Sequence, residues 1–277
     1  MSTVESDELR VLVVGAHPDE ADMYAGGTAA LFARAGHAVK FVSLTCGDAG
    51  HHLMDREALA TRRKGEADEA ARRLSVREYE IFATHDGELM PTLETRLQVL
   101  RVLREWRADV VISLHYLPDG HPDHRASGRA TVDAVQFSTL RNLLPDVPAL
   151  ARQPLHLLMP DYGSRAEHRH DVVVDVGETI EQKLLACDAH ATQFYEFAPH
   201  GRGFLHEVPQ GWDAKRGYLL DHWAEFMEIQ PDMRPGATAW YGEERARAIR
   251  YAETFQFTPR FGVPDHERMH QCFPMLA

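Results

Sequence analysis

Short apolar runs alternate with amphipathic stretches through the first half of the chain. Val11–Ala16, Ala38–Thr45, Glu78–Ala83 and Asp109–Leu114 read as strands. Between them, Thr28–Ala35 (ending at Gly36), Leu59–Leu74 and Leu93–Trp106 carry apolar residues at helical spacing. Strands parted by helices of this length build βαβ units and a parallel sheet. Further on, a helix is expected over Arg125–Phe137, a loop over Pro145–Pro154, strands at Leu155–Met159 and Asp171–Val176, and a helix over Glu178–His190. Beyond residue 199 the pattern weakens, with a short helix expected over Glu243–Thr254 and no clear period in the last twenty residues. The expected fold class is α/β: a Rossmann-like, mostly parallel sheet flanked by helices, with an irregular C-terminal elaboration.

Composition narrows the function classes. The 277 residues are 44% hydrophobic and 26% charged, ordinary for a globular protein. A formal net charge of −12 argues against a nucleic-acid groove, which needs clustered Lys and Arg. Cys46, Cys187 and Cys272 show no paired spacing, which fits a reducing compartment. The polar segment Met1–Arg10 lacks the pattern of a signal peptide, and no apolar run approaches the roughly 20 residues that span a bilayer. A cytoplasmic protein without membrane or nucleic-acid partners is expected, and a homo-oligomer is left open. With seventeen histidines, a lone His carries little information.

Two clusters rise above that background. His17-Pro18-Asp19-Glu20 follows the first strand, and His121-Pro122-Asp123-His124 follows the fourth. Each alone reads well as a helix cap on a turn. Together, at the carboxyl edge of one sheet, they offer a metal site. His17, Glu20 and His124 form a two-His, one-carboxylate set suited to a Zn²⁺ hydrolase, with Fe²⁺ as the alternative. Asp19 is placed to act as general base and then acid. His121 is placed to face an oxyanion, and Asp123 to fix a His ring.

At this point the chain resembles the PIG-L/LmbE family of zinc-dependent N-deacetylases. The resemblance rests on VLVVGAHPDEADMYAGGT (11–28), VSLTCGDAGHH (42–52), the R-x-x-E-A helix from Arg63, Asp86-Gly87, HPDHRA (121–126), and the H-x-x-Q of His190 and Gln193. It covers about residues 9–257 and implies a single deacetylase domain over 1–277, with a tail at 258–277 rimming the site. It also implies zinc on His17, the acid at position 20 and His124, with Asp19 as base and His121 as oxyanion stabiliser. Arg63, Asp86 and His190 become substrate-binding positions. Arg63 has a helix-surface ion pair with Glu66 or Glu69 as its alternative, and Asp86 a turn with Gly87. The implied substrate is a small N-acylated molecule, a sugar conjugate.

One position departs from the family pattern. The motif usually reads His-Pro-Asp-Asp, and here residue 20 is Glu. The longer side chain opens a swapped assignment, Asp19 as ligand and Glu20 as base. Two rival functions follow: an amidase for larger amides such as mycothiol-type conjugates, and a metal- or sugar-binding protein whose turnover is impaired. Gly15-Ala16-His17 is no G-x-G-x-x-G, which sets a dinucleotide-binding protein aside.

Overall fold

The computed structural model describes residues 8–161 and 167–276. Most of the polar N-terminal stretch (residues 1–7) and the last residue of the expected tail lie outside the described residues. Seven strands form the sheet among the described residues: β1 (Arg10–Gly15), β2 (Ala38–Ser43), β3 (Glu78–Ile81), β4 (Val110–Leu114), β5 (Leu155–Met159), β6 (Val172–Asp175) and β7 (Ala252–Phe257). Their order is β3-β2-β1-β4-β5-β7-β6, with the first five parallel and β7 running antiparallel to both its neighbours. β1 and β4 carry apolar residues on both faces because helices cover both sides of a central parallel strand. The strand order reverses between them, where an open α/β sheet leaves a crevice at its carboxyl edge.

Helices α1 (Glu20–Arg34), α2 (Arg56–Leu74) and α5 (Ile180–Ala189) pack on one another, while α3 (Leu93–Trp106) pairs with α4 (Pro122–Gln136). Local chemistry sets several of their ends. Asp55 and Thr92 cap α2 and α3 by accepting from Ala58 N and Thr95 N, and Ser75 and Arg107 close the same helices in the left-handed conformation.

Close approach matters most at α4. A Cβ on Gly128 would fall 2.4 Å from the Leu114 carbonyl oxygen, at the end of β4. Gly128→Ala is therefore expected to cost about 1–3 kcal/mol, as overpacking does, and to displace His124 one turn earlier. Thermal unfolding measures the first effect; an unchanged Tm would remove this contact from the account.

The sequence reading needs correction in three places. α1 begins at Glu20, eight residues before the expected start, so Gly26-Gly27 lies inside the helix rather than ahead of it. The side chain of Glu253 accepts the N–H groups of Gly27 and Thr28 there, a partner no local rule supplies. The expected helix Glu243–Thr254 is instead the end of α8 (Arg234–Ala248), itself broken at Gly242, followed by β7. All six residues of β7 are buried, so no amphipathic period marks it as a strand. Lastly, the C-terminal third is well structured: α6 (Ala198–Arg202), α7 (Trp212–His222), α8, β7 and α9 (His266–Cys272). Its tail packs away from the cleft, with Phe273 edge-on to Phe32 and near Phe255 in the core.

Candidate active site

Both His clusters sit at the crevice between β1 and β4. The chain leaves β1 at Gly15 and turns through His17 and Asp19, the residue that precedes α1. Glu20 is thus the first residue of that helix. On the neighbouring strand, His121 caps α4, its Nδ1 accepting from the Asp123 N–H at 3.3 Å, and His124 follows in the first turn. The rings of His17, His121 and His124 lie 4.8–5.3 Å apart, and their nitrogens lie within 4.8 Å of one another.

Glu20 joins the two clusters. Its Oε1 lies 2.7 Å from His17 Nδ1 and 2.5 Å from His124 Nε2. Its Oε2 turns back to the N–H groups of Ala16 (2.5 Å) and His17 (3.1 Å). That fold-back requires Gly15, where a Cβ would come 2.9 Å from Oε2. The extra methylene of Glu20 is thereby absorbed against the backbone, and one oxygen still faces both imidazoles.

The surrounding carboxylates orient the rings. Asp161 Oδ1 is 2.9 Å from His124 Nδ1, which directs Nε2 toward Glu20. Asp123 and Asp86 each lie 3.2 Å from His17 Nε2, and Asp123 also accepts from Gly87 N at 2.7 Å. Burial opposes charge on His17, yet Glu20, Asp123 and Asp86 outweigh it and hold its proton well above the usual imidazole range. Burial likewise opposes charge on His124, but Glu20 and Asp161 push its pKa up to about 9. Burial would raise Glu20, but the two imidazoles hold it well below the usual carboxylate range. Burial and the charges of His124 and His17 depress His121, leaving that ring neutral. Because its Nδ1 is an acceptor, its proton resides on Nε2.

Asp19 has a different setting. Only 4% exposed, it meets the Arg63 guanidinium at 3.0 Å, and Arg63 also donates to Gly47 O and Gln193 Oε1 at 3.0 and 3.1 Å. Burial raises the Asp19 pKa more than Arg63 lowers it. Arg63 is therefore a buried partner of Asp19, not the surface ion pair with Glu66 or Glu69 weighed from sequence. Asp86 lines the cleft, but its carboxylate is engaged by His17; burial would raise its pKa, and His17 and Arg63 bring it down to about 2. His190 does not reach the cleft. It is fully buried against Asp22 (3.0 Å), which also accepts from the Tyr79 hydroxyl, so the expectation that His190 meets substrate is corrected.

The donor chemistry fits a divalent metal. His17, His124 and Glu20 converge two imidazoles and a carboxylate oxygen, and one of those imidazoles is oriented by a carboxylate behind it. They open onto a cleft of about 470 Å³. A second group, Cys46, Asp48 and His85, also clusters nearby. There Asp48 is already bound by Arg56, His85 and the Asp86 N–H, so it braces the loop that carries Asp86.

A family model described as PIG-L, GlcNAc-PI de-N-acetylase, matches residues 12–135. Diacetylchitobiose deacetylase of Thermococcus kodakarensis is 32% identical over 197 residues, covering 69% of this chain and 72% of that protein. The chain belongs to the PIG-L family. A second relative in the family, the 1D-myo-inositol 2-acetamido-2-deoxy-alpha-D-glucopyranoside deacetylase of Kineococcus radiotolerans, is 30% identical and covers 77% of each chain. Among solved structures, N,N'-diacetylchitobiose deacetylase from Pyrococcus horikoshii aligns with a TM-score of 0.68 at 26% identity, covering 94% of this chain and 88% of that one.

The PIG-L match ends before much of the cleft does. Gln193 and Phe197 lie on a π-helical segment (Thr192–Phe197), and Trp223 and Phe226 follow α7, while Asp161, buried behind His124, follows β5. Sequence reasoning missed Asp161, although it too is a carboxylate just past a strand's carboxyl end. The aromatic wall left no comparable signal. Among the described residues, the cleft draws no lining from 258–276.

Proposed function

We propose that this chain is a metal-dependent N-deacetylase of an N-acetylated amino sugar or closely related conjugate, with zinc as its metal. The observation that carries this reading is Glu20 Oε1 between His17 and His124, beside a buried, Arg63-held Asp19. His17, Glu20 and His124 are the proposed ligands. A divalent metal there supplies Lewis acidity toward an amide carbonyl and toward water.

The remaining chemistry belongs to the chain's own residues. Asp19 takes a proton from the attacking water and later passes it to the departing nitrogen as the C–N bond breaks, releasing acetate and a free amine. The raised pKa of its buried carboxyl suits that double role. His121 presents its Nε2–H to the developing oxyanion. Arg63 keeps Asp19 in one orientation by fixing the outer side of its carboxylate. Asp123 and Asp86 orient His17, and Asp161 orients His124.

Metal analysis of the purified protein with acetate release from a panel of N-acetylated sugars tests this. About one divalent ion per chain is expected, with turnover lost on chelation and restored by zinc; undiminished turnover in the chelated protein would overturn it. Asp161→Asn should weaken metal affinity by about 10–100-fold, the usual effect of removing a carboxylate behind a ligating His. A competition titration against a chromophoric chelator reads that change.

A further inference from the structure

A stack of three histidines joins two segments of the cleft lining. Ala49 and Gly50 belong to the loop between β2 and α2, and Phe197, Ala198, Gly201 and Arg202 to the helical run that ends in α6. The two segments touch at Gly50, where a Cβ would come 3.4 Å from the Phe197 ring. Just beyond, the rings of His51 and His52 lie 4.7 Å apart and 17° from parallel. His200 of α6 continues the column, 4.0 Å from His52 and 5° from parallel. His51 also reaches the helical run directly, its Nε2 lying 2.7 Å from Glu196 Oε2.

This column is built for uncharged rings. His51 Nδ1 accepts from the N–H groups of Leu53 and Met54, both at 3.1 Å, which places its proton on Nε2 against Glu196. A second proton, on Nδ1, would face those two donors. His52 Nδ1 is buried without a hydrogen-bond partner. A neutral ring leaves that nitrogen bare, whereas an imidazolium must put an N–H there with no acceptor, and a stranded charged donor costs more. His200 is exposed and open to protonation. The charged groups facing the column are Glu196 and, through it, Arg62, which also meets Glu66. Among the described residues no carboxylate pairs with His52 or His200. Burial, then the charges of His200 and His51, hold the His52 pKa below the usual imidazole value.

We propose that the His51–His52–His200 stack is an acid-released latch that holds the 49–52 loop against α6 and so sets the width of the cleft. Separated rings bind protons that the stacked rings refuse, so acid favours separation. Closure is at full strength above about pH 6.5, the pKa of a free imidazole, and weakens as pH falls below it. The consequence for turnover rests on the deacetylase reading above; the latch itself does not.

Amide hydrogen exchange, corrected for the intrinsic pH dependence of its rate, tests the latch on wild type, His52→Phe and His200→Phe at about pH 7.5 and about pH 5.5. Phe keeps a ring in the column and removes its charge. Wild type should lose protection over 49–54 and 197–203 by up to about tenfold per pH unit, the most that one titrating group allows, while β1 and β4 stay unchanged. His52→Phe should hold its protection in acid, and His200→Phe most of it. No loss in wild type, an equal loss in the variants, or a loss that β1 and β4 share overturns the latch. Should His52→Phe fail to fold, His200→Phe, at an exposed position, decides by the same criterion. On the methyl glycoside of N-acetylglucosamine, KM should rise in acid for wild type and stay nearly level for His52→Phe, since protonation at the metal site acts on both proteins alike. Parallel KM profiles overturn the latch's part in substrate binding. If no protein hydrolyses this sugar, the deacetylase reading fails for it, and exchange still decides the latch.

Discussion

Asp19→Asn is expected to lower turnover by about 10²–10⁴-fold, the range a positioned proton-transfer group contributes, while metal content stays near wild type. The substitution keeps the shape of the side chain and an oxygen that can accept from Arg63, which now meets Asp19 at 3.0 Å. What it removes is the exchangeable proton. Burial raises the pKa of this carboxyl, so Asp19 is a stronger base than a solvated carboxylate, and the amide has no equivalent state. Glu20, by contrast, has both oxygens engaged, Oε1 between the two imidazoles and Oε2 on the N–H groups of Ala16 and His17, and is poorly placed to take a proton from water. That contrast favours Glu20 as ligand and Asp19 as base over the swapped assignment. Acetate release and metal analysis on one preparation decide the matter. Near-normal turnover would move the base elsewhere, and loss of metal would make Asp19 a ligand.

Glu253→Gln is expected to destabilise the fold by about 3–5 kcal/mol, the cost of stranding one member of a buried ion pair. Lys183 Nζ lies 2.8 Å from Glu253 Oε1, and both side chains are essentially inaccessible to solvent. Glu253 also accepts from Gly27 and Thr28 in α1, and Lys183 donates to the Phe226 carbonyl at 2.7 Å. The pair thus ties β7, α1 and α5 to a residue of the cleft wall. Adding Lys183→Met removes the stranded ammonium and should recover much of the loss, although the Phe226 carbonyl then lacks its donor. Urea unfolding of the two single variants and the double variant measures the coupling. A Glu253→Gln protein within about 1 kcal/mol of wild type would contradict the account.

The first half of the fold was legible because β1, β2 and β4 are largely apolar and α2 and α3 carry apolar residues at helical spacing, while β3, Glu-Tyr-Glu-Ile, alternates. The candidate site was legible for a related reason: His17 and Glu20 directly follow β1, and His121 and His124 open the helix after β4, at the edge where an open parallel sheet gathers its chemistry. Legibility failed where a segment's character came from distant partners. Gly26-Gly27 reads locally as a break, yet α1 runs through it under the carboxylate of Glu253. The expected helix over Glu243–Thr254 runs into β7 because the polar residues of that strand are buried and paired, which erases the alternation of a half-exposed strand. His190 shares a short motif with Gln193, but burial sends its ring to Asp22 while Gln193 turns to Arg63 and the cleft.

By itself, the sequence determined the parallel α/β core, the two strand-end clusters and the residue types able to hold a metal and move a proton. These depend on local periodicity and on spacing of a few residues, which the chain carries in order. Tertiary structure alone decided how Glu20, longer than the usual Asp, keeps one oxygen on both imidazoles by folding the other onto the backbone beside Gly15. It also decided that Arg63 belongs to Asp19, that Asp161 stands behind His124, and that Arg202 shares a cleft with residues nearly 200 positions earlier. Those relations are set by which elements the sheet brings together, and no local pattern of residues encodes that distance.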